Sequence, residues 1–345
     1  MAPPRRIDVV QDSVRRLLRI GATANLQNLL QKQHPADLGQ IFGGLHDGER
    51  AAAFSILVEH QPKLAMESVS ELGPERGATL LAGRSAEEIA RLAQEIPSDD
   101  AAALIDYLPD ELASEVLELM RRRESGQVES LLDYAEQTAG RIMNPNVFAL
   151  SEDLTVAEAV SALQSAINVE MVFYLYVVDG RRHLVGVTSL RRLLLVAPET
   201  PLKRIMTADL ISVRVDTDQE EAARLVASYN LLAIPVVDEE NKLAGVITVD
   251  DVIDVLKDEA TEDLYRLAGV SGDERIETPA WEALTKRLPW LGVNLGTAFL
   301  AASVVAAFED TISQATALAA LMPIVAGMGG NAGMQTLTVI VRGIA

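Results

Sequence analysis

Two long uncharged runs near the end of the sequence restrict what this chain can fold into more than any other feature. Residues 288–308 read LPWLGVNLGTAFLAASVVAAF, and after Glu309 and Asp310 a second uncharged run extends from Thr311 to Val341. A helix rises about 1.5 Å per residue, so ~20 apolar residues cross the hydrocarbon core of a bilayer. A helix buried in a soluble domain would keep a polar face, and these two keep almost none, so the expectation is a pair of membrane spans. Lys286 and Arg287 precede the first run, whereas Glu309 and Asp310 follow it. The excess of positive charge on the cytoplasmic side then places the N-terminal part in the cytoplasm and Trp290 near the interface of the inner (plasma) membrane. The opening residues, MAPPRRIDVVQDSVRR, contain no apolar signal-peptide core, so insertion falls to the internal spans.

The charge is as unevenly spread as the hydrophobicity. Lys and Arg number 30 against 50 Asp and Glu, a net −20. From residue 281 onward there are three of each sign (Lys286, Arg287, Arg342; Glu282, Glu309, Asp310), so the whole excess lies in residues 1–280. Such a surface repels a phosphate backbone, and nucleic acid is not an expected partner. The sequence has no cysteine, and its histidines, His34, His46, His60 and His183, form no i,i+3 or i,i+4 pair. Thiolate and two-histidine metal sites are therefore out, and any metal must be a hard cation held by oxygen. No set of nucleophile, base and orienting group is recognisable, so an enzyme is not expected.

Between residues 34 and 112, helix starts recur about every 12 residues or twice that: HPAD at 34, HDGE at 46, GPE at 73, SAEE at 85, PSDD at 97 and PDE at 109. Proline near the first helical position and acids in the first turn suit helix N-termini. Short helices that cannot bury an apolar face alone must stack, as in a superhelical solenoid. Residues 113–138 read as one longer helix and a linker.

The next stretch is duplicated. Arg141-Ile142-Met143 recurs as Arg204-Ile205-Met206, Val177-Val178-Asp179 as Val236-Val237-Asp238, and Gly186-Val187 as Gly245-Val246. Each copy reads as a leading strand, a helix (156–164 and 219–228), two strands around a turn, and a final helix. This resembles tandem CBS domains, a family whose paired modules often hold adenine nucleotides through G-x-x-[ST]-x-x-D. The second copy carries Gly245, Thr248 and Asp251; the first has Gly186 and Ser189 but Arg192 in place of the acid. The resemblance thus implies at most one ordinary ribose site, at Thr248 and Asp251. The alternative is that these residues only end a strand and cap a helix, for which Thr248 and Asp250 are suited.

From Asp250 the sequence runs DDVIDVLKDEATEDLYRLAGV. Asp251, Asp254, Asp258 and Glu262 fall on one helical stripe, Glu259 and Asp263 form a further i,i+4 pair, and Gly269 suits a helix stop. Like charges at this spacing cost about 0.2–0.5 kcal/mol per pair. The helix is either a solvated acidic face or a binding face for Mg²⁺ or Ca²⁺. Its position beside anionic headgroups favours the second, and removal of the cation would drive facing acidic surfaces apart.

Within the second apolar run stand Pro323, Gly327, Gly329, Gly330, Asn331, Gly333 and Gln335. So many glycines and a proline predict a broken helix that frees backbone carbonyls at membrane depth, as a permeation path would use. Close helix packing through small residues is the alternative.

The order of these parts, from helical domain through CBS pair and acidic helix (ending ATEDLYRLAGV) to P-x-x-x-G-x-G-G-N-x-G-x-Q, resembles the MgtE family of magnesium transporters along essentially the whole chain. The resemblance implies a multidomain protein: an all-α superhelical N domain (1–138), an α+β tandem CBS pair (139–200 and 201–250), an acidic plug helix and linker (251–278) and an α-helical transmembrane segment (279–345). It further implies a homodimeric Mg²⁺ channel in the lipid bilayer, closed when cytoplasmic Mg²⁺ bridges the acidic domains. Asp251, Asp254, Glu259, Glu262 and Asp263 would be regulatory ligands, with Glu67 and Asp99 as N-domain partners. Asp258 on the stripe, and Asp218 and Glu220 at the start of the second-copy helix, complete the candidate cation set. Asn230 stands where similar proteins carry an acid, which removes one carboxylate. The family has five membrane helices with a pore-lining aspartate in the later ones. The sequence ends at Ala345 within the second, and is read as part of a longer transporter. The competing function is a membrane-anchored adenine-nucleotide sensor, and ATP is in either case a candidate regulatory ligand.

Overall fold

The computed structural model describes residues 6–120, 122–166, 174–268, 280–314 and 316–344. They form two compact units, 1–252 and 253–345. The first unit opens with short helices: α1 (Arg6–Arg19), α2 (Thr23–Leu30), α3 (Pro35–Gly43), α4 (Asp47–His60), α5 (Pro62–Ser70), α6 (Pro74–Leu81), α7 (Ala86–Ala93), α8 (Ser98–Asp106), α9 (Asp110–Leu119) and α10 (Arg122–Leu132). Their starts follow local chemistry. His34 accepts from the Ala36 N–H at 3.3 Å, the His46 N–H donates to Glu49, and Ser85 accepts from Glu88 at 3.3 Å. Pro62 begins α5 and Pro74 begins α6.

The longer helix expected within 113–138, ahead of its linker, is instead split between α9 and α10. Met120 turns extended (φ −65°, ψ 156°) and is 6% exposed, so burying its side chain ends α9 where periodicity alone would continue it. Neighbouring helices pack pairwise, α3 and α4 on α5, α6 on α8, α7 on α9 and α8 on α10. Their shared core is built on Phe42, Phe54, Leu57, Met66, Ile89 and Ile105. None of these helices could hide such a side chain alone.

Two copies of one β-α-β-β-α motif follow. The first comprises α11 (Ala139–Ile142), β1 (Ala149–Ser151), α12 (Val156–Ser165), β2 (Tyr174–Val178), β3 (Leu184–Ser189) and α13 (Leu190–Leu195). The second comprises α14 (Leu202–Ile205), β4 (Val213–Arg214), α15 (Gln219–Tyr229), β5 (Ala233–Val237), β6 (Leu243–Thr248) and α16 (Val249–Ala268). In both sheets the first strand is parallel and the third antiparallel to the middle one. Both middle strands break register at the same point, Val177/Val178 and Val236/Val237.

The copies exchange their leading segments. Met143, in the first copy's lead, packs on Gly245 of β6, and Met206, in the second copy's lead, packs on Gly186 of β3. Asn144 and Val246 exchange backbone bonds of 2.8 and 3.0 Å, as do Thr207 and Val187. A Cβ at Gly245 would lie 2.7 Å from the Met143 sulfur and 2.8 Å from the Asn144 carbonyl oxygen. The sulfur can shift but the carbonyl, held in its ladder, cannot. Gly245→Ala is therefore expected to destabilise the first unit by about 1–3 kcal/mol, read as an earlier urea midpoint of CBS-pair unfolding. An unchanged midpoint would show that the exchanged contact is not tight.

In the second unit, α17 (Ala280–Ala307), α18 (Glu309–Gln314) and α19 (Thr316–Ile344) follow α16. Residues 283–307 and 319–341 are long and apolar enough to cross a membrane, and they are exposed along their length. The expected break in the second run does not occur: α19 is continuous through Pro323 and the glycines. A proline removes one intrahelical bond, whereas unwinding in hydrocarbon would leave many N–H and C=O groups without any partner. Gly269, the expected helix stop, lies outside the described residues.

Candidate cation site at the junction of the helical domain and the CBS pair

Two acidic helix N-termini meet in the first unit. Pro97 is extended (φ −54°, ψ 154°), so α8 begins at Ser98 and carries Asp99 and Asp100 in its first turn. At the end of β6, Thr248 precedes α16, whose first turn carries Asp250 and Asp251. Acids favour these positions because the first N–H groups of a helix are unpaired and positively polarised. What local preference does not explain is why the tertiary fold places the two turns side by side.

The cost of that placement appears in the carboxyl groups. Burial, then the neighbouring Asp251 and Asp100 charges, hold the Asp99 carboxyl well above the usual carboxylate range, against backbone N–H bonds that lower it. Burial first, with Asp250 and Asp100 adding to it, pushes Asp251 up to about 7 although Thr248 opposes the shift. The charges acting most strongly on both groups are negative. Two hydrogen bonds reach Asp251 from Thr248, at 2.7 Å from Oγ1 and 3.3 Å from the backbone N–H. Asn144 Nδ2 donates to Asp99 Oδ1 at 3.3 Å. Such a cluster favours either protons or an external cation.

The geometry limits the kind of cation. Among the described residues no three carboxylate or imidazole side chains converge closely enough to chelate an ion directly. A fully protein-coordinated Ca²⁺ does not fit that arrangement, whereas Mg²⁺ retains most of its waters and can be held by one or two carboxylates and by water-mediated bonds. Asp100, Asp250 and Asn144 belong to this junction and were absent from the candidate set read from sequence. The two aspartates could have been found as the second acids of DD pairs at helix starts; Asn144 carries no such signal.

The other candidates have local partners. Glu67 on α5 faces Lys63 at 3.8 Å, Asp218 caps α15 by accepting from the Glu220 N–H at 2.8 Å, and Glu220 binds Arg224 at 2.6 Å. Asn230 ends α15 with φ +51°, ψ 45°, a left-handed conformation that asparagine tolerates well. Along α16, Asp254 pairs with Lys257 at 2.7 Å and Glu262 with Arg266. Asp258 is raised by burial and by Asp254, against Lys257, and Glu259 is half-buried. The Asp263 side chain lies outside the described residues. Thr248 and Asp251, the candidate ribose contacts, bond each other as a helix cap does; Ser189 plays the same part in the first copy, accepting from the Arg192 N–H at 3.3 Å. On α19, helical spacing puts Pro323, Gly327, Gly330, Asn331 and Gln335 on one half of the helix and Gly329 and Gly333 on another.

Comparison with known proteins agrees with this architecture. Residues 33–137 match the MgtE intracellular N domain, and residues 139–199 and 202–258 each match the CBS domain. The magnesium transporter MgtE of Thermus thermophilus is 36% identical over 342 residues, 96% of this chain and 75% of that protein. The magnesium transporter MgtE of Bacillus subtilis is 36% identical over 330 residues, covering 95% and 72%. Among solved structures, the cytosolic domain of the Mg²⁺ channel MgtE in complex with ATP superposes with a TM-score of 0.66 at 36% identity, over 71% of this chain and 99% of that one. The soluble part of a magnesium transporter gives 0.64 at 30% identity, over 74% and 100%.

Proposed function

Because this chain belongs to the MgtE family of magnesium transporters, we propose that it is a subunit of a Mg²⁺ channel gated by cytoplasmic Mg²⁺. The observation that carries the reading is the junction of Asp99 and Asp100 with Asp250 and Asp251, where burial and neighbouring aspartates raise both the Asp99 and the Asp251 carboxyl groups. Hydrated Mg²⁺ there relieves the repulsion and favours the compact, closed arrangement. Asp254, Asp258, Glu259, Glu262 and Asp263 on the plug helix extend the same response, with Glu67, Asp218 and Glu220 as outlying sites. Low Mg²⁺ lets the acidic surfaces separate, α16 shifts, and the pore opens. A ligand moves such an equilibrium only by its preference for one state, so several coupled sites are needed for a steep response.

In this reading the chain acts as a homodimer, crosses the plasma membrane several times with 1–278 in the cytoplasm, and uses the Asn331 and Gln335 face of α19 along the ion path. A second reading, a nucleotide sensor anchored in the membrane, draws on the ATP bound to the related cytosolic domain. Here the Thr248–Asp251 bond of 2.7 Å engages only Oδ2 of the carboxylate, so Oδ1 could still accept from a ribose hydroxyl, and ATP is proposed as a ligand that tunes the gate alongside Mg²⁺.

Limited proteolysis and small-angle scattering of the full chain in nanodiscs, along a Mg²⁺ titration with K⁺ at matched ionic strength, test the proposal. Protection and compaction specific to Mg²⁺, weakened in Glu259→Ala with Asp263→Ala, are expected. Indifference to Mg²⁺ together with a response to ATP would give the sensor reading precedence.

A further inference from the structure

The acidic part of the chain begins with a basic helix. Residues 1–36 contain Arg5, Arg6, Arg15, Arg16, Arg19 and Lys32 against Asp8 and Asp12, a net +4, so the −20 of residues 1–280 becomes −24 over residues 37–280. The inner side of α1 is committed to the fold: Val14 is fully buried, and Gln11 Nε2 and Arg15 Nη2 both donate to the Gly44 carbonyl at 2.6 Å. Arg15 also lies 3.5 Å from Glu49 and 3.8 Å from Asp12. Arg16 and Arg19 are not used in this way. Both are exposed, and among the described residues neither has an ion-pair partner. Val9 and Ile20 are 51% and 65% exposed, and the Ile20 N–H still bonds the Arg16 carbonyl at 3.2 Å. Helical spacing puts Val9, Arg16, Arg19 and Ile20 on one side of α1, opposite Val14.

Unpaired arginines beside exposed aliphatic side chains suit the surface of an anionic bilayer. Guanidinium groups take phosphate oxygens two at a time, while their stems and the neighbouring aliphatic groups enter the boundary between headgroups and acyl chains. An acidic protein surface would satisfy Arg16 and Arg19 but would offer Val9 and Ile20 no apolar layer. Charges more than about 8 Å away are largely screened at physiological salt, so the local +4 and not the −24 of the following residues decides what approaches this helix. We propose that the outer side of α1 is a contact surface for anionic lipid headgroups, which holds the start of the helical domain on the membrane that the same chain enters. The inference rests on the membrane placement in the reading above, with 1–278 in the cytoplasm, and not on gating by Mg²⁺. Because the chain's own spans keep it at the bilayer, the contact is intramolecular and a few charges suffice.

The natural absence of cysteine allows a spin label to be placed without background. The full chain with Ile20→Cys is labelled and reconstituted in nanodiscs of phosphatidylcholine alone or of phosphatidylcholine with phosphatidylglycerol. Label mobility, and access of oxygen against that of a water-soluble nickel chelate, report contact with lipid. A second chain labelled at Leu300→Cys, an exposed position of α17, reports whether the apolar run lies in the bilayer. In anionic discs the Ile20→Cys label is expected to be slowed and open to oxygen, and in phosphatidylcholine to be free. Arg16→Gln with Arg19→Gln should lower the ratio of bound to free label in anionic discs roughly 10- to 30-fold, and high KCl should act in the same direction. Both arginines are exposed, so the double variant is expected to fold as the native chain does. Identical spectra in the two lipids, with the Leu300→Cys label in lipid, would overturn the proposal alone. So would slowing in phosphatidylcholine discs on addition of inorganic phosphate, which would mark a site for a free anion. A Leu300→Cys label outside the lipid would instead refute the membrane reading, and the inference with it.

Discussion

Asparagine at both Asp99 and Asp251 is expected to stabilise the cation-free protein at pH 8 while removing most of its stabilisation by Mg²⁺. Both carboxylates are raised mainly by burial and then by neighbouring aspartates, Asp251 and Asp100 acting on Asp99 and Asp250 and Asp100 acting on Asp251, so each ionised group strains the docked state. Asparagine keeps the shape, and at position 251 it keeps an oxygen for the Thr248 donors. Relief on the order of 2 kcal/mol follows for removing crowded, half-buried charges. A stabilising ligand adds RT ln(1 + [L]/Kd), and a chain without the site loses that increment. Urea unfolding of the first unit, followed by proteolysis in chelator and in excess Mg²⁺, measures both quantities. A double variant that is weaker than the native chain in chelator, or that keeps the full Mg²⁺ increment, would show that these aspartates do not form the site.

Acid is expected to compete with Mg²⁺ steeply. Asp251, with its carboxyl at about 7 in the folded chain against an ordinary 3.8, binds a proton in the folded state over the interval where the unfolded chain has lost it. A group raised in this way contributes stability that is complete below about pH 4 and lost as pH rises through about 7. The cation-free first unit should therefore lose stability from this group between those values, and Asp99 acts in the same direction. Mg²⁺ binding must displace the proton, so its midpoint should rise roughly 30-fold from pH 8 to pH 5.5. Protease protection titrated at the two pH values gives the ratio. A pH-independent midpoint would place the cation on carboxylates with ordinary acidity.

Much of the fold can be read along the chain because the signals are local. The prolines and caps of His34, His46 and Ser85 mark their helices, and the Arg-Ile-Met and Gly-Val repeats reveal the duplication. The uncharged runs identify α17 and the length of α19. What sequence spacing does not carry is pairing between distant parts. The repeats show that Met143 and Met206 are equivalent, but not that each packs on the other copy's glycine. The same limit hid the site: PSDD announces a helix start and Asp250-Asp251 another, yet only the tertiary fold sets them side by side and brings Asn144 to Asp99. Local reasoning also erred where environment outweighs propensity. The glycines of α19 argue for a break when water can satisfy the backbone, and hydrocarbon removes that option. At Met120, burial of one side chain ended a helix that periodicity carried on.

The most direct test of the central claim is the Mg²⁺-binding isotherm of the full chain, measured by calorimetry in nanodiscs at pH 8 and matched ionic strength. The account predicts saturable Mg²⁺ binding that releases more protons near pH 6 than at pH 8 and disappears in large part with Asp99→Asn and Asp251→Asn. Binding that is unaffected by those two substitutions, or absent altogether, would contradict it.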